Sequence, residues 1–148
     1  MNWRDLQWKR AGAPLDEEDL RRLELELGVV FPSSYRECAK IFHGATPTPR
    51  DFELTDQRHG RMGSCFSLLL EVAEGGDETV RQCLEWHAED LLVGLIPFGA
   101  DPGGDLMCFD YRSVIKEPPV IYWHHERVGL DSVSFLADSF DGFIDLLH

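Results

Sequence analysis

Three short runs of the chain hold residue types that could do chemistry: Gly99-Ala-Asp-Pro-Gly-Gly-Asp105, His124-His125-Glu126, and Ser64 beside Cys65. A glycine-rich loop that cradles phosphate is followed by Lys and Ser or Thr; the first run has neither, and its two carboxylates repel phosphate. Its composition suits a tight connection instead. Pro102 sets φ, Gly103 and Gly104 permit positive φ, and Asp101 or Asp105 can accept hydrogen bonds from loop amides. Neighbouring imidazoles could ligate a metal, but successive side chains on a strand point to opposite faces, so His124 and His125 do not easily grip one ion. Ser64 has no GxSxG setting and no His or acid nearby in a recognisable frame. Carboxylates are so numerous that no pair stands out for acid–base work. The expectation is a chain that is not an enzyme and has no catalytic residue, no cofactor and no metal.

What remains is recognition. Trp86 falls off the Val80, Cys83, Leu84, His87 stripe of its helix, and an outward indole among Glu85 and Glu89 is the kind of anchor found in binding surfaces. Trp123, His125 and Glu126 suggest an exposed patch at a strand end, and Asp101 and Asp105 a further contact in the loop. The residues expected to touch a partner are therefore Glu85, Trp86, Asp101, Asp105, Trp123, His125 and Glu126.

Charge restricts the partner. Twenty-seven Asp and Glu against 14 Lys and Arg give a formal net of -13, the wrong sign for a phosphate backbone and the right one for a basic protein. The four cysteines are far apart with no CxxC pair, which reads as buried thiols in a reducing compartment. MNWRDLQWKR is no apolar leader, and no run approaches the roughly 18 apolar residues of a membrane span, so the expected location is the cytoplasm.

The elements that must position these residues follow from periodicity. The 148 residues fit one domain, 1–148, without repeats or linkers. Trp3, Leu6 and Arg10 predict a short leading helix. Asp16 can cap a second helix with Leu20, Leu23 and Leu27 inward, ended by Gly28. Ser34 and Glu37 stand in capping-box register for a third, with Tyr35, Cys38, Ala39 and Phe42 on one face. Thr46–Gly63, with two prolines and many charges, reads as a long loop with at most a strand around Phe52–Leu54. Ser64–Val72 reads as a buried strand or a helix start. A helix through Val80–His87 precedes three apolar runs, Leu91–Phe98, Asp105–Tyr111 and Pro119–His124, that form an antiparallel meander. A last helix, capped by Asp138 or Ser139, carries Phe140, Phe143, Ile144 and Leu147. Strands run together between helices predict an α+β fold, its mainly antiparallel sheet flanked by N-terminal, middle and C-terminal helices.

The order of landmarks resembles the Smi/Knr-like family of the SUKH superfamily. The resemblance rests on Gly28, Pro32 and Tyr35, then Pro97, Phe98, Gly99, Asp101, Gly104 and Asp105 in IPFGADPGGDLMCFDY, then Ser139, Phe140 and Phe143 near the end. It spans nearly the whole chain; the region 45–95 carries no match. It implies an immunity protein of bacterial polymorphic toxin systems that binds a cognate toxin domain, a basic one such as a nuclease given the charge. The similar fungal regulators of cell-wall synthesis imply a scaffold module as the alternative.

Overall fold

Asp16 starts the first long helix as its side chain allows. Its carboxylate accepts from the Asp19 amide while the Asp19 carboxylate accepts from the Asp16 amide, a reciprocal cap that satisfies two otherwise orphan donors. Three acidic residues follow in the first turn, where the helix dipole favours them. This helix, α1 (Glu17–Leu27), buries Leu20 and Leu23 and ends at Gly28 with φ 69°. The computed structural model describes residues 1–148 and continues with α2 (Ser33–Phe42), α3 (Val80–Trp86) and α4 (Phe140–Ile144). Helix α2 buries Tyr35, Cys38 and Ala39 as its spacing predicts, but Pro32 is its cap and no side chain caps it. The Ser34–Glu37 box is therefore not formed. Glu24 of α1 takes over part of the role: it accepts from the Phe31 amide at 2.7 Å and from the Arg36 guanidinium at 3.3 Å, tying the two helices.

All strand pairings within the three sheets are antiparallel. β1 (Gln7–Lys9) pairs with β2 (Thr46–Thr48), and β3 (Asp51–Asp56) with β4 (Gly60–Cys65). The main sheet places β5 (Leu68–Leu69), β6 (Leu95–Ala100), β7 (Leu106–Asp110), β8 (Val120–Trp123) and β9 (Val133–Ala137) side by side in chain order. The α+β class and the meander are as the sequence predicts. Four local expectations are corrected. Only Trp3–Asp5 forms a 3₁₀ turn, and the rest of the expected leading helix is β1. The expected loop 46–63 is mostly the two strands β2 and β3 and the start of β4. The strand expected over Ser64–Val72 shrinks to the end of β4 and the two residues of β5, and the first meander strand starts at Leu95 rather than Leu91.

Phe98 sits at the centre of the core. Its ring stacks on Phe109 with centroids 4.4 Å apart and meets Tyr35, Phe66, Phe140 and Phe143 edge to face at 5.6–6.1 Å, the geometry that aromatic quadrupoles favour. Every residue of β6 and β8 is buried, so both faces of the sheet are covered there. Gly99 is required by close packing: a Cβ there would stand 2.7 Å from the Phe66 ring and 3.1 Å from Met107 Sδ. Cys38, Cys83 and Cys108 are buried thiols as expected, while Cys65 is only half-buried.

A buried ion pair joins distant parts of the chain. Asp56, at the inner end of β3 and 2% exposed, accepts from Arg127 Nη1 at 2.7 Å and Nη2 at 2.8 Å. The Arg127 guanidinium holds the Asp56 carboxyl well below the usual carboxylate range. A depressed folded-state pKa contributes stability that is fully present above the unfolded value of about 3.9 and is lost as pH falls below it. The urea midpoint of the wild type is therefore expected to drop on acidification below about pH 4, and the acid limb of Asp56→Asn, less stable at neutral pH, to be shallower. Parallel limbs would remove Asp56 from the acid response.

Candidate partner-binding site

Helix α3 starts from Thr79, whose hydroxyl accepts from the Gln82 amide while the Gln82 side chain accepts from the Thr79 amide. This register turns Val80 and Cys83 into the core and leaves Glu85 and Trp86 outward, with Trp86 62% exposed. Beside the helix runs the loop from β6 to β7. Asp101 Oδ1 accepts from the Gly103 and Asp105 amides, both at 2.9 Å, which folds the loop back on itself. Gly104 has φ 102°, as the turn chemistry requires, and a Cβ there would lie 3.4 Å from the His125 ring. Gly104→Val is expected to lose about 1–3 kcal/mol, because a β-branched residue is poorly tolerated at positive φ. The check is the urea midpoint; an unchanged value would mean that the loop accommodates the side chain.

Under the loop lies a polar network. The single hydroxyl proton of Tyr122 lies between two carboxylates, Asp101 Oδ2 at 2.8 Å and Asp105 Oδ2 at 2.7 Å, and the Ser64 hydroxyl is 3.1 Å from both Asp101 Oδ2 and the Tyr122 oxygen. Asp105 Oδ1 accepts from the His125 amide at 2.9 Å and faces His125 Nδ1 at 2.5 Å; a carboxylate only accepts, so that nitrogen donates. Burial alone would raise the Asp105 carboxyl, but hydrogen bonds from the His125 amide and ring and from Tyr122 outweigh it and hold the group below its usual value. Burial raises the Tyr122 phenol, and the two carboxylates reinforce the shift. Asp105 is thus held by groups that favour its charged form, and Asp101 is fixed in position by the two loop amides.

Loop and helix enclose a cleft of about 710 Å³ lined by Asp77, Glu78, Trp86, His87, Asp101 and His125 among others, with no Lys or Arg in its wall. Of the residues expected to touch a partner, Trp86, Asp101 and His125 meet here. Glu85 and Glu126 are exposed beside them in sequence, and Asp105 stands behind His125 as its support. Trp123 is a correction. It is fully buried, and His87, the residue that ends α3, packs edge-on against the indole at 4.8 Å. The indole is a floor beneath the site and not a contact. His124 and His125 do face opposite ways: His124 is buried, with Nε2 2.8 Å from Ser134 Oγ. Asp77, Glu78 and His87 were not among the expected contact residues. Asp77 and Glu78 lie in the turn that leads into α3, where charge alone looks like solvation, and His87 reads as an inner-face residue of its helix.

On the other side of α3 lies an apolar groove of about 470 Å³ between Leu84, Leu92, Val93 and Ile115. No helix of the chain is long and apolar enough to cross a membrane.

The fold and the fixed loop agree with what comparison finds. The chain belongs to the SMI1 / KNR4 family (SUKH-1), whose family model matches residues 14–146. A curated relative, the SPbeta prophage-derived uncharacterized protein YokK of Bacillus subtilis (strain 168), is 23% identical over 145 residues, covering 86% of this chain and 71% of the relative. Membership supports a toxin-immunity or a regulatory role, since members of this family are generally immunity proteins and not enzymes.

Proposed function

We propose that this chain is an immunity protein that acts in the bacterial cytoplasm: it binds a cognate toxin domain of basic surface and occludes its active face, performing no chemistry itself. The cleft beside α3 carries this reading. It offers an exposed aromatic anchor and an acidic wall on a rigid frame, which is how a small domain obtains both affinity and steered association. The positions that carry the family resemblance do other work here. Gly28 ends α1, Pro32 starts α2, Tyr35, Phe98, Phe140 and Phe143 fill the core, and Asp101 and Asp105 hold the loop. That division leaves Trp86, Asp77, Glu78 and Glu85 free to set partner choice without cost to the fold. If the toxin is a nuclease, its substrate groove is basic and the acidic face fits it as the substrate does.

The test is to clone the genes on either side of this one and co-express this chain in a sensitive bacterial host with the C-terminal domain of any large secreted protein they encode. Growth is expected to be restored, and the two proteins to co-purify. Persistent toxicity without a complex would move the reading to a regulatory scaffold module.

A further inference from the structure

The cleft has a narrower chemistry than general acidity. Asp101 faces inward to the loop: its Oδ1 accepts from two loop amides, and its Oδ2 shares the one Tyr122 proton with Asp105 and the one Ser64 proton with the Tyr122 oxygen. It supplies fixed charge to the wall. Asp77 and Glu78 are exposed and enter none of the ion pairs of the chain, so their oxygens are open to an incoming donor. Trp86, the last residue of α3, presents an exposed indole to the same space that Asp77 and Glu78 line. No Lys or Arg stands in the cleft wall to neutralise this arrangement; its basic groups are the imidazoles of His87, whose neutral form burial favours, and of His125, which is already engaged by Asp105.

We infer that the cleft between α3 and the 101–105 loop is a receptor for an arginine side chain of the protein partner, with the guanidinium laid on Trp86 in the field of Asp77, Glu78 and Asp101. The inference rests on the reading of this face as the partner-binding face. A guanidinium is planar, stacks on an aromatic face and donates in a fixed fork to carboxylates; an ammonium is a compact, strongly hydrated point charge that gains less from an indole.

The probe is N-acetyl-arginine methylamide, titrated into the ¹⁵N-labelled full chain and followed by NMR. The citrulline derivative, its neutral isostere, and the lysine derivative serve as comparisons. The arginine compound is expected to shift the Trp86 indole N–H and the Gly103, Gly104 and Asp105 amides together, with saturation. Binding should weaken by about tenfold for citrulline and by a similar factor in Trp86→Ala, and by less in the double variant Asp77→Asn, Glu78→Gln. Equal binding of citrulline or lysine, shifts located elsewhere, or no shift at all would each overturn the assignment. Rescue of growth by the wild-type chain would stand in all these cases, so failure of the arginine site and failure of the immunity reading are separately visible.

Discussion

Phe98→Ala is expected to lower the folding stability by about 3–5 kcal/mol, the usual cost of removing a fully buried phenylalanine. Phe98 is 1% exposed, and five other rings converge on it from α2, α4, β7 and the segment after β4. Those rings are held by separate elements, so the void cannot close by a shift of one side chain. The cost includes the lost transfer energy and the cavity left among Tyr35, Phe66, Phe109, Phe140 and Phe143. Against a total stability of about 5–15 kcal/mol for a domain, the variant is left marginal at best. The urea midpoint decides the matter, and the slope of the transition should stay the same. Phe98→Leu should fall between the two. A loss below about 1.5 kcal/mol for Phe98→Ala would mean that the core repacks freely and that these aromatic contacts are not what joins the helices to the sheet.

Trp86→Ala is expected to act on binding and leave the fold alone. An indole that is 62% exposed contributes little to the core, and surface substitutions of this kind usually change stability by no more than about 0.5 kcal/mol. At an interface the same truncation removes a central anchor, which costs about 2 kcal/mol or more and weakens the complex about 30-fold. Because short-range packing is what is lost, the change should appear as faster dissociation. Val93, 96% exposed in the apolar groove on the other side of α3, gives the control: Val93→Asp should leave both rates as they are. A Trp86→Ala complex with unchanged lifetime, or a Val93→Asp complex that falls apart, would shift the interface from the cleft to the groove.

Much of this architecture is legible in the sequence, and the parts that are not have specific reasons. The cap at Asp16, the stop at Gly28 and the meander are local signals of side-chain chemistry and apolar runs, and they survive folding unchanged. Strand β3 hides behind two prolines and a run of charges, although Phe52 and Leu54 alternate with Asp51, Glu53 and Thr55 as a half-buried strand should. Its third inward residue is Asp56, and only Arg127, 71 positions away, makes that burial tolerable. Strand β9 escapes a hydrophobicity reading because its pattern is inverted: Ser134 is buried and bonded to His124, while Phe135 is 59% exposed. The leading segment misleads in the opposite way. Trp3, Leu6 and Arg10 have helical spacing, yet the chain turns extended at Leu6 and pairs with β2. At the site, Trp86 shows itself by falling off the apolar stripe of its helix. Trp123 does not reveal its burial, since strand alternation leaves its face undecided and the ring that packs on the indole, His87, comes from a distant part of the chain.

The most direct test of the account is the association rate of the full chain with the toxin domain proposed as its partner, measured by surface-based kinetics across a salt series. Exposed carboxylates steer a basic partner over long range, and the Debye length shrinks from about 10 Å at 0.1 M salt to about 3 Å at 1 M. Association is therefore expected to slow by about tenfold or more over that range while dissociation changes little. The double reversal Asp77→Lys, Glu78→Lys should slow association at low salt and flatten the dependence without unfolding the protein. Tight binding whose association rate is indifferent to both salt and the reversal would contradict recognition through the acidic cleft.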